Sequence, residues 1–187
     1  MSGKEQPRAV EGPAFPAAIM LATDGSESAE AATRVAIELA EATGDTLLVV
    51  TAWRELRADF GIPITAIFPD AVDIERAHAR EVAEDVAARA AAAGVAAETI
   101  IRHGSPSREI CAAAAERRPR LVIMGTYGWG RVEQMVFGSV SESVLHHAPC
   151  PVLVVPPDEE RTRRAEHIHR SWEDEHDPTR KAPLSEP

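Results

Sequence analysis

Apolar residues along this chain fall into two alternating periods. Short runs rich in β-branched and aliphatic residues occur at positions 19–23, 46–53, 98–102, 121–124 and 152–155. Between them alanine, valine and leucine return every three or four residues, the spacing of one face of an α-helix. The run at 46–53, Thr-Leu-Leu-Val-Val-Thr-Ala-Trp, is nearly unbroken, as expected of a parallel strand covered on both faces. Ala32, Val35, Ala36, Leu39 and Ala40 form the first helical stripe, with Ser26 placed as its N-cap, Glu27 and Glu30 in the first turn and Gly44 as its stop. Glu30 is also spaced to pair with Arg34 one turn on. A second helix is predicted from about residue 74 to 93, with a stripe of Ala79, Val82, Ala83, Val86, Ala90 and Ala93 ending at Gly94. Ser105-Pro106 opens a third, which buries Ile110, Cys111 and Ala114 and stops before Pro119. A fourth begins at Ser139. Strands alternating with helices make βαβ units, so the chain predicts a doubly wound α/β fold: a five-stranded parallel sheet with right-handed crossovers and helices on both faces.

Composition narrows the functional classes. The 187 residues suit one domain, and 44% hydrophobic with 27% charged residues is ordinary for a globular chain. The formal charge of -10 opposes nucleic acid as a primary partner, because binding its backbone requires clustered Lys and Arg. Both lysines, Lys4 and Lys181, lie near the ends of the chain. The body therefore lacks the Gly-Lys-Ser/Thr of a P-loop and any Schiff-base amine. Cys111 and Cys150 stand apart, without a metal-binding or redox spacing, and read as reduced structural thiols. No run approaches the roughly eighteen apolar residues of a membrane span, and the first fifteen residues hold no apolar signal core. The expectation is a cytoplasmic protein with no membrane association.

The chemistry concentrates in residues 125–139, Gly-Thr-Tyr-Gly-Trp-Gly-Arg-Val-Glu-Gln-Met-Val-Phe-Gly-Ser. Two residues separate Gly125 from Gly128, nine separate Gly128 from Gly138, and Ser139 follows directly. The segment joins a buried strand to a helix. Glycines let backbone approach a ligand closely, and the helix start offers unpaired N–H groups and the positive end of its dipole, so the arrangement is able to hold phosphate. Ser139 and Glu142 also have the spacing of a capping box, which would satisfy the helix's own N–H groups instead. Asp24, after the first strand, is open to two readings as well: a turn former or N-cap, and a ligand-facing carboxylate. His146 and His147 fall about a dozen Å from the helix start at 1.5 Å rise per residue, too far to serve a phosphate held there.

Glycine spacing closed by Gly-Ser-Val-Ser-Glu, then His-Ala-Pro-Cys-Pro-Val-Leu-Val-Val, resembles the nucleotide-binding branch of the universal stress protein family. Ile19-Met20-Leu21-Ala22-Thr23-Asp24-Gly25-Ser26 resembles that family's first strand and the loop after it. The resemblance implies a Rossmann-like sheet of order 3-2-1-4-5, and it brings the two motifs, about a hundred residues apart in sequence, to one crevice at the switch point. It further implies that Ala22, Thr23 and Asp24 face the base and sugar of an adenine nucleotide, with Val50 or Thr51 of the second strand beside them. Gly125, Gly128, Gly138, Ser139, Val140 and Ser141 would lie around the phosphates, and Met124 belongs to the same binding set. The implied cofactor is ATP, or AMP or cyclic AMP, with magnesium carried on the nucleotide near Asp24. The chain departs from the family pattern between Gly128 and Gly138, where Arg131 is the main cation beside Tyr127, Trp129, Glu133 and Gln134.

On this reading residues 1–15 form a flexible leader, 16–157 the domain, and 158–187 a charged, disordered tail. The tail histidines His167, His169 and His176 lack a ligand frame. No nucleophile stands beside a base, so hydrolysis or autophosphorylation is expected to be slow at most. The resemblance also implies a homodimer through the last strand, residues 151–155 with Pro151 at its start and Val155 at its end. The function expected is a stress-response module that binds ATP or a related nucleotide and signals, with an unidentified protein partner. The alternative is a nucleotide-free dimeric scaffold.

Overall fold

A computed structural model of the chain describes residues 17–54, 70–126, 138–159, 161–163 and 165–166. Among the described residues up to β5, strands and helices alternate: β1 (Ala18–Ala22), α1 (Glu27–Thr43), β2 (Thr46–Trp53), α2 (Ala71–Ala92), β3 (Ala97–His103), α3 (Pro106–Arg117), β4 (Leu121–Gly125), α4 (Ser139–His147) and β5 (Val152–Val155). The five strands form one sheet of order β3-β2-β1-β4-β5, and every pairing is parallel.

Period-two alternation sorts the strand side chains into two cores. Ile19, Leu21, Leu47, Val49, Ile123 and Val155 face one side, where Ala31, Ala32, Ala36 and Ala40 of α1 and Ala83, Val86 and Ala90 of α2 cover them. Met20, Ala22, Leu48, Val50, Val122 and Met124 face the other, under Ile110, Ala113 and Ala114 of α3 and Val144 of α4. Alanines at the contacts let the helices lie close to the sheet. The doubly wound architecture and its strand order are those expected.

Several local expectations needed correction. Arg34 pairs with Asp158, not with Glu30, and Glu30 instead receives a two-pronged bond from Arg89 of α2 at 2.5 and 3.0 Å. A cross-element partner at the right height displaced the local one. Helix α2 begins at Ala71, earlier than the apolar stripe suggested, since Asp70 already accepts the bond from the Ile74 N–H. On α3 the fully buried positions are Ile110, Ala113 and Ala114, which leaves Cys111 half-buried at the margin of the second core. Cys111 and Cys150 are free thiols, and burial pushes both above the ordinary thiol range. Beyond β5, residues 158–159, 161–163 and 165–166 are helical, and Asp158 docks on α1 through Arg34. The histidines at 167, 169 and 176, the leader and most of the irregular connection after β2 lie outside the described residues.

Candidate functional site

The sheet order reverses between β1 and β4, and in an open α/β sheet such a switch point opens a crevice at the carboxyl ends of the strands. Beneath it lies a cavity of about 370 Å³. This is within the range of small-molecule sites, about 300–1,000 Å³.

Its floor comes from strand positions that face the α3–α4 side: Ala22 of β1, Val50 and Ala52 of β2, and Met124 of β4. Ile110 and Pro106 of α3 close one wall, and Ala29 of α1 another. Alanines at 22, 29 and 52 keep the space open where larger side chains would fill it. The polar rim is formed by Thr23, Asp24 and Arg54, and by Gly138, Ser139 and Ser141 at the start of α4.

Local bonds hold each rim segment in shape. After β1, the Thr23 N–H donates to the Val50 carbonyl at 3.1 Å, and the Gly25 N–H donates to the Thr23 hydroxyl at 3.2 Å. Oδ1 of Asp24 accepts from the Ser26 N–H at 3.0 Å and from its hydroxyl at 2.6 Å. Ser26 takes the N-cap position of α1, but its hydroxyl serves Asp24 and Ser28 and caps no helix N–H. Asp24 is therefore a turn former that also lines the cavity.

Across the crevice the capping box does not form. Gly138 is the N-cap of α4, so Ser139 is already the first helical residue and cannot reach back as a cap. Small, extended Gly138 displaces it: its N–H donates to the Thr126 carbonyl at 2.8 Å, and its own carbonyl receives the Glu142 N–H at 2.9 Å. The N–H groups of Ser139, Val140 and Ser141 lie ahead of that first i to i−4 donor, at the positive end of the helix dipole. The buried Ser141 hydroxyl donates within the protein, to the carbonyl of Thr126 at 2.8 Å or of Gly138 at 2.9 Å. It braces the helix start against the end of β4. Ser139 is exposed at the rim.

Of the thirteen residues expected at the site, ten line this cavity: Ala22, Thr23, Asp24, Val50, Met124, Gly125, Gly138, Ser139, Val140 and Ser141. Thr51 does not. Strand alternation turns it to the opposite face, where its hydroxyl is buried without a partner among the described residues. Gly128 and Arg131 lie outside the described residues, as do Tyr127, Trp129, Glu133 and Gln134. Ala29, Ala52, Arg54, Pro106 and Ile110 were missed. Ala52 and Arg54 were legible in principle, since they continue the alternation from Val50. The two α3 residues were not, because nothing in the local sequence says which helix roofs the crevice.

His146 and His147 are exposed in the last turn of α4, with Nδ1 of His147 at 2.7 Å from the Ser143 carbonyl. Among the described residues no group of three or more His, Cys, Asp or Glu is placed to hold a metal, and no helix is long and apolar enough to cross a membrane.

The model of the universal stress protein family matches residues 17–156. A universal stress protein of Thermus aquaticus is 40% identical over 141 residues, which is 73% of this chain and 96% of the relative. The Bacillus subtilis universal stress protein YxiE is 30% identical over 143 residues, 73% of this chain and 97% of its own. Among solved structures, universal stress protein UspA of Lactobacillus plantarum superposes with a TM-score of 0.65 at 23% identity, over 75% of this chain and 97% of that one. An Archaeoglobus fulgidus universal stress protein in complex with dAMP gives 0.54 at 24% identity, over 75% and 96%. A family protein from Arabidopsis thaliana with AMP bound gives 0.57 at 20% identity, over 79% and 95%.

Proposed function

This chain belongs to the universal stress protein family, and from that premise we propose that it binds ATP or a related adenine nucleotide in the crevice between β1 and β4. The observation that carries the proposal is the single cavity lined by both motif segments, Ala22 to Asp24 on one side and Gly138 to Ser141 on the other. An apolar floor beside a helix N-terminus suits a ligand with a flat base at one end and an anion at the other. The AMP and dAMP held by the two similar proteins have that chemistry.

In this reading Ala22, Val50, Ala52 and Ile110 contact the base, and Thr23 and Asp24 lie toward the sugar. The N–H groups of Ser139, Val140 and Ser141, the Ser139 hydroxyl and Arg54 meet the phosphates, with Gly125, Gly128 and Arg131 contributing from the loop. A magnesium ion, when bound with the nucleotide, would neutralise phosphate charge, and Asp24 is the carboxylate suited to receive it. The role proposed is that of a cytoplasmic regulatory binder, with slow hydrolysis or autophosphorylation at most. The chain acts as a homodimer through the β5 edge, residues 151–155, and passes the nucleotide state to a protein partner.

Calorimetric titration with ATP, AMP and cyclic AMP, with and without magnesium, tests the assignment. Arg54→Glu should weaken ATP by about tenfold or more through lost charge-assisted bonding, and Ala52→Phe should block all three ligands by filling the floor. Heats unchanged in both variants would move the site elsewhere. No heat from the parent chain would favour the nucleotide-free scaffold.

A further inference from the structure

Strand β2 ends between two hollows. Ala52 and Arg54 face the crevice described above, while Trp53 between them turns to the α2 side of the sheet. There Trp53, Ile101 and His103 form the base of a second cavity, of about 340 Å³, walled by Arg76 and Arg80 of α2. Trp53 and His103 are register partners on adjacent strands, and their rings lie 4.3 Å apart at 36°. The Gly104 N–H donates to the Trp53 carbonyl at 2.9 Å, which extends the ladder and fixes both rings to rigid backbone. Ile101 is partly buried and packs against the core beneath.

The arginines are the unusual part. Arg76 and Arg80 are one helical turn apart, so their guanidinium groups can converge on one oxyanion. The chain carries a net charge of -10, and its other described arginines are largely paired: Arg34 with Asp158, Arg89 with Glu30, Arg102 with Glu116, Arg117 with Glu98 and Arg120 with Asp45. Arg76 and Arg80 form no ion pair among the described residues, although Asp73 and Glu84 lie within a turn of them. Two unneutralised guanidinium groups above an aromatic pair present complementary chemistry to a flat ring that carries a negative group.

We propose that this cavity is a second ligand site, separate from the nucleotide crevice, which takes a small aromatic carboxylate or phosphate. The ring stacks on Trp53 and His103, and the oxyanion bridges Arg76 and Arg80. Because Trp53 and Arg54 are consecutive, a ligand here sits back to back with the other site through one strand end.

Phenyl phosphate is the direct probe, followed by Trp53 emission in a Trp129→Phe/Trp172→Phe background. Saturable quenching is expected, with inorganic phosphate and benzyl alcohol each weaker by about tenfold or more, since each lacks one half of the recognition. Arg76→Ala/Arg80→Ala should weaken phenyl phosphate by a similar factor. Both positions are exposed and alanine favours helix; were helicity lost, Arg76→Gln/Arg80→Gln repeats the test. Arg54→Glu, which weakens the nucleotide crevice, should not weaken phenyl phosphate binding here. An affinity unchanged in the arginine double variant, or one lost in Arg54→Glu, would overturn the proposal.

Discussion

Gly25 is held at φ 73°, and a Cβ built there would lie 2.6 Å from Cγ2 of Val82 on α2. Gly25→Ala should therefore cost about 1–3 kcal/mol, from left-handed backbone strain and displacement of a β-branched neighbour. Arg118 presents the opposite case. It ends α3 at φ 49° with no glycine to absorb the strain, and Pro119 forbids continuation of the helix. Arg118→Gly should stabilise the fold by about 0.5–1 kcal/mol, or roughly 1–4 °C in Tm for a chain of this size. Thermal melts of the two variants beside the parent check both signs. A lowered midpoint for Arg118→Gly would mean that its side chain contributes more than its backbone costs. At this scale the sequence was partly misleading for a physical reason. Ser139 and Glu142 had capping-box spacing, but one residue of register decided the matter, and Gly138 took the cap because its extended backbone reaches Thr126. Spacing cannot distinguish a cap from the residue after it. Side-chain partners across the fold were equally hidden, as the exchange of Arg34 for Arg89 at Glu30 illustrates.

Elements were far more legible than partners, because a strand buried on both faces and a one-sided helix leave different periods in the chain. Residues 46–53 read as a parallel strand and are β2. The strand order was not legible in the period; it entered through family resemblance. What the pattern also missed is how the elements are tied at the end of the sheet remote from the crevice. Asp45, between α1 and β2, is almost wholly buried, with its carboxylate 3.3 Å from Arg120 and 2.8 Å from the Thr43 hydroxyl. Arg120 in turn donates its N–H to the Ala18 carbonyl at 2.8 Å, at the start of β1. One carboxylate thus clamps the α1–β2 turn to the approach of β4. Asp45→Ala should cost about 1–3 kcal/mol, because the bonds of the buried carboxylate to the Thr43 hydroxyl and to Arg120 are both lost. Urea unfolding would show a lower midpoint with unchanged slope. Nucleotide binding by the variant should persist under native conditions, since the crevice lies at the opposite strand ends.

For the whole molecule, the two sheet edges are protected unequally. On β3, Glu98 and Arg102 are engaged by Arg117 and Glu116 of α3, and charged edge residues discourage further pairing. The Glu98 carboxyl is held below the usual carboxylate range by its bond from Arg117. On β5 the sequence is Val-Leu-Val-Val, without a charge, and Leu153 is 40% exposed. Among the described residues no strand pairs with the outer side of β5; an apolar edge of that kind calls for a cover, and a second copy of the same strand supplies one with matching chemistry. The structure also decides which substitution tests this. Val152 and Val154 pack against the α3–α4 core, so lysine at either would strain the fold as well as any interface. Leu153 projects from the other face and is free of that ambiguity. Leu153→Lys should convert a dimeric parent to a monomer by light scattering while leaving the melting transition cooperative and adenine nucleotide heats measurable. A dimer of unchanged mass would place the contact on another face, and a monomeric parent would remove the dimer altogether.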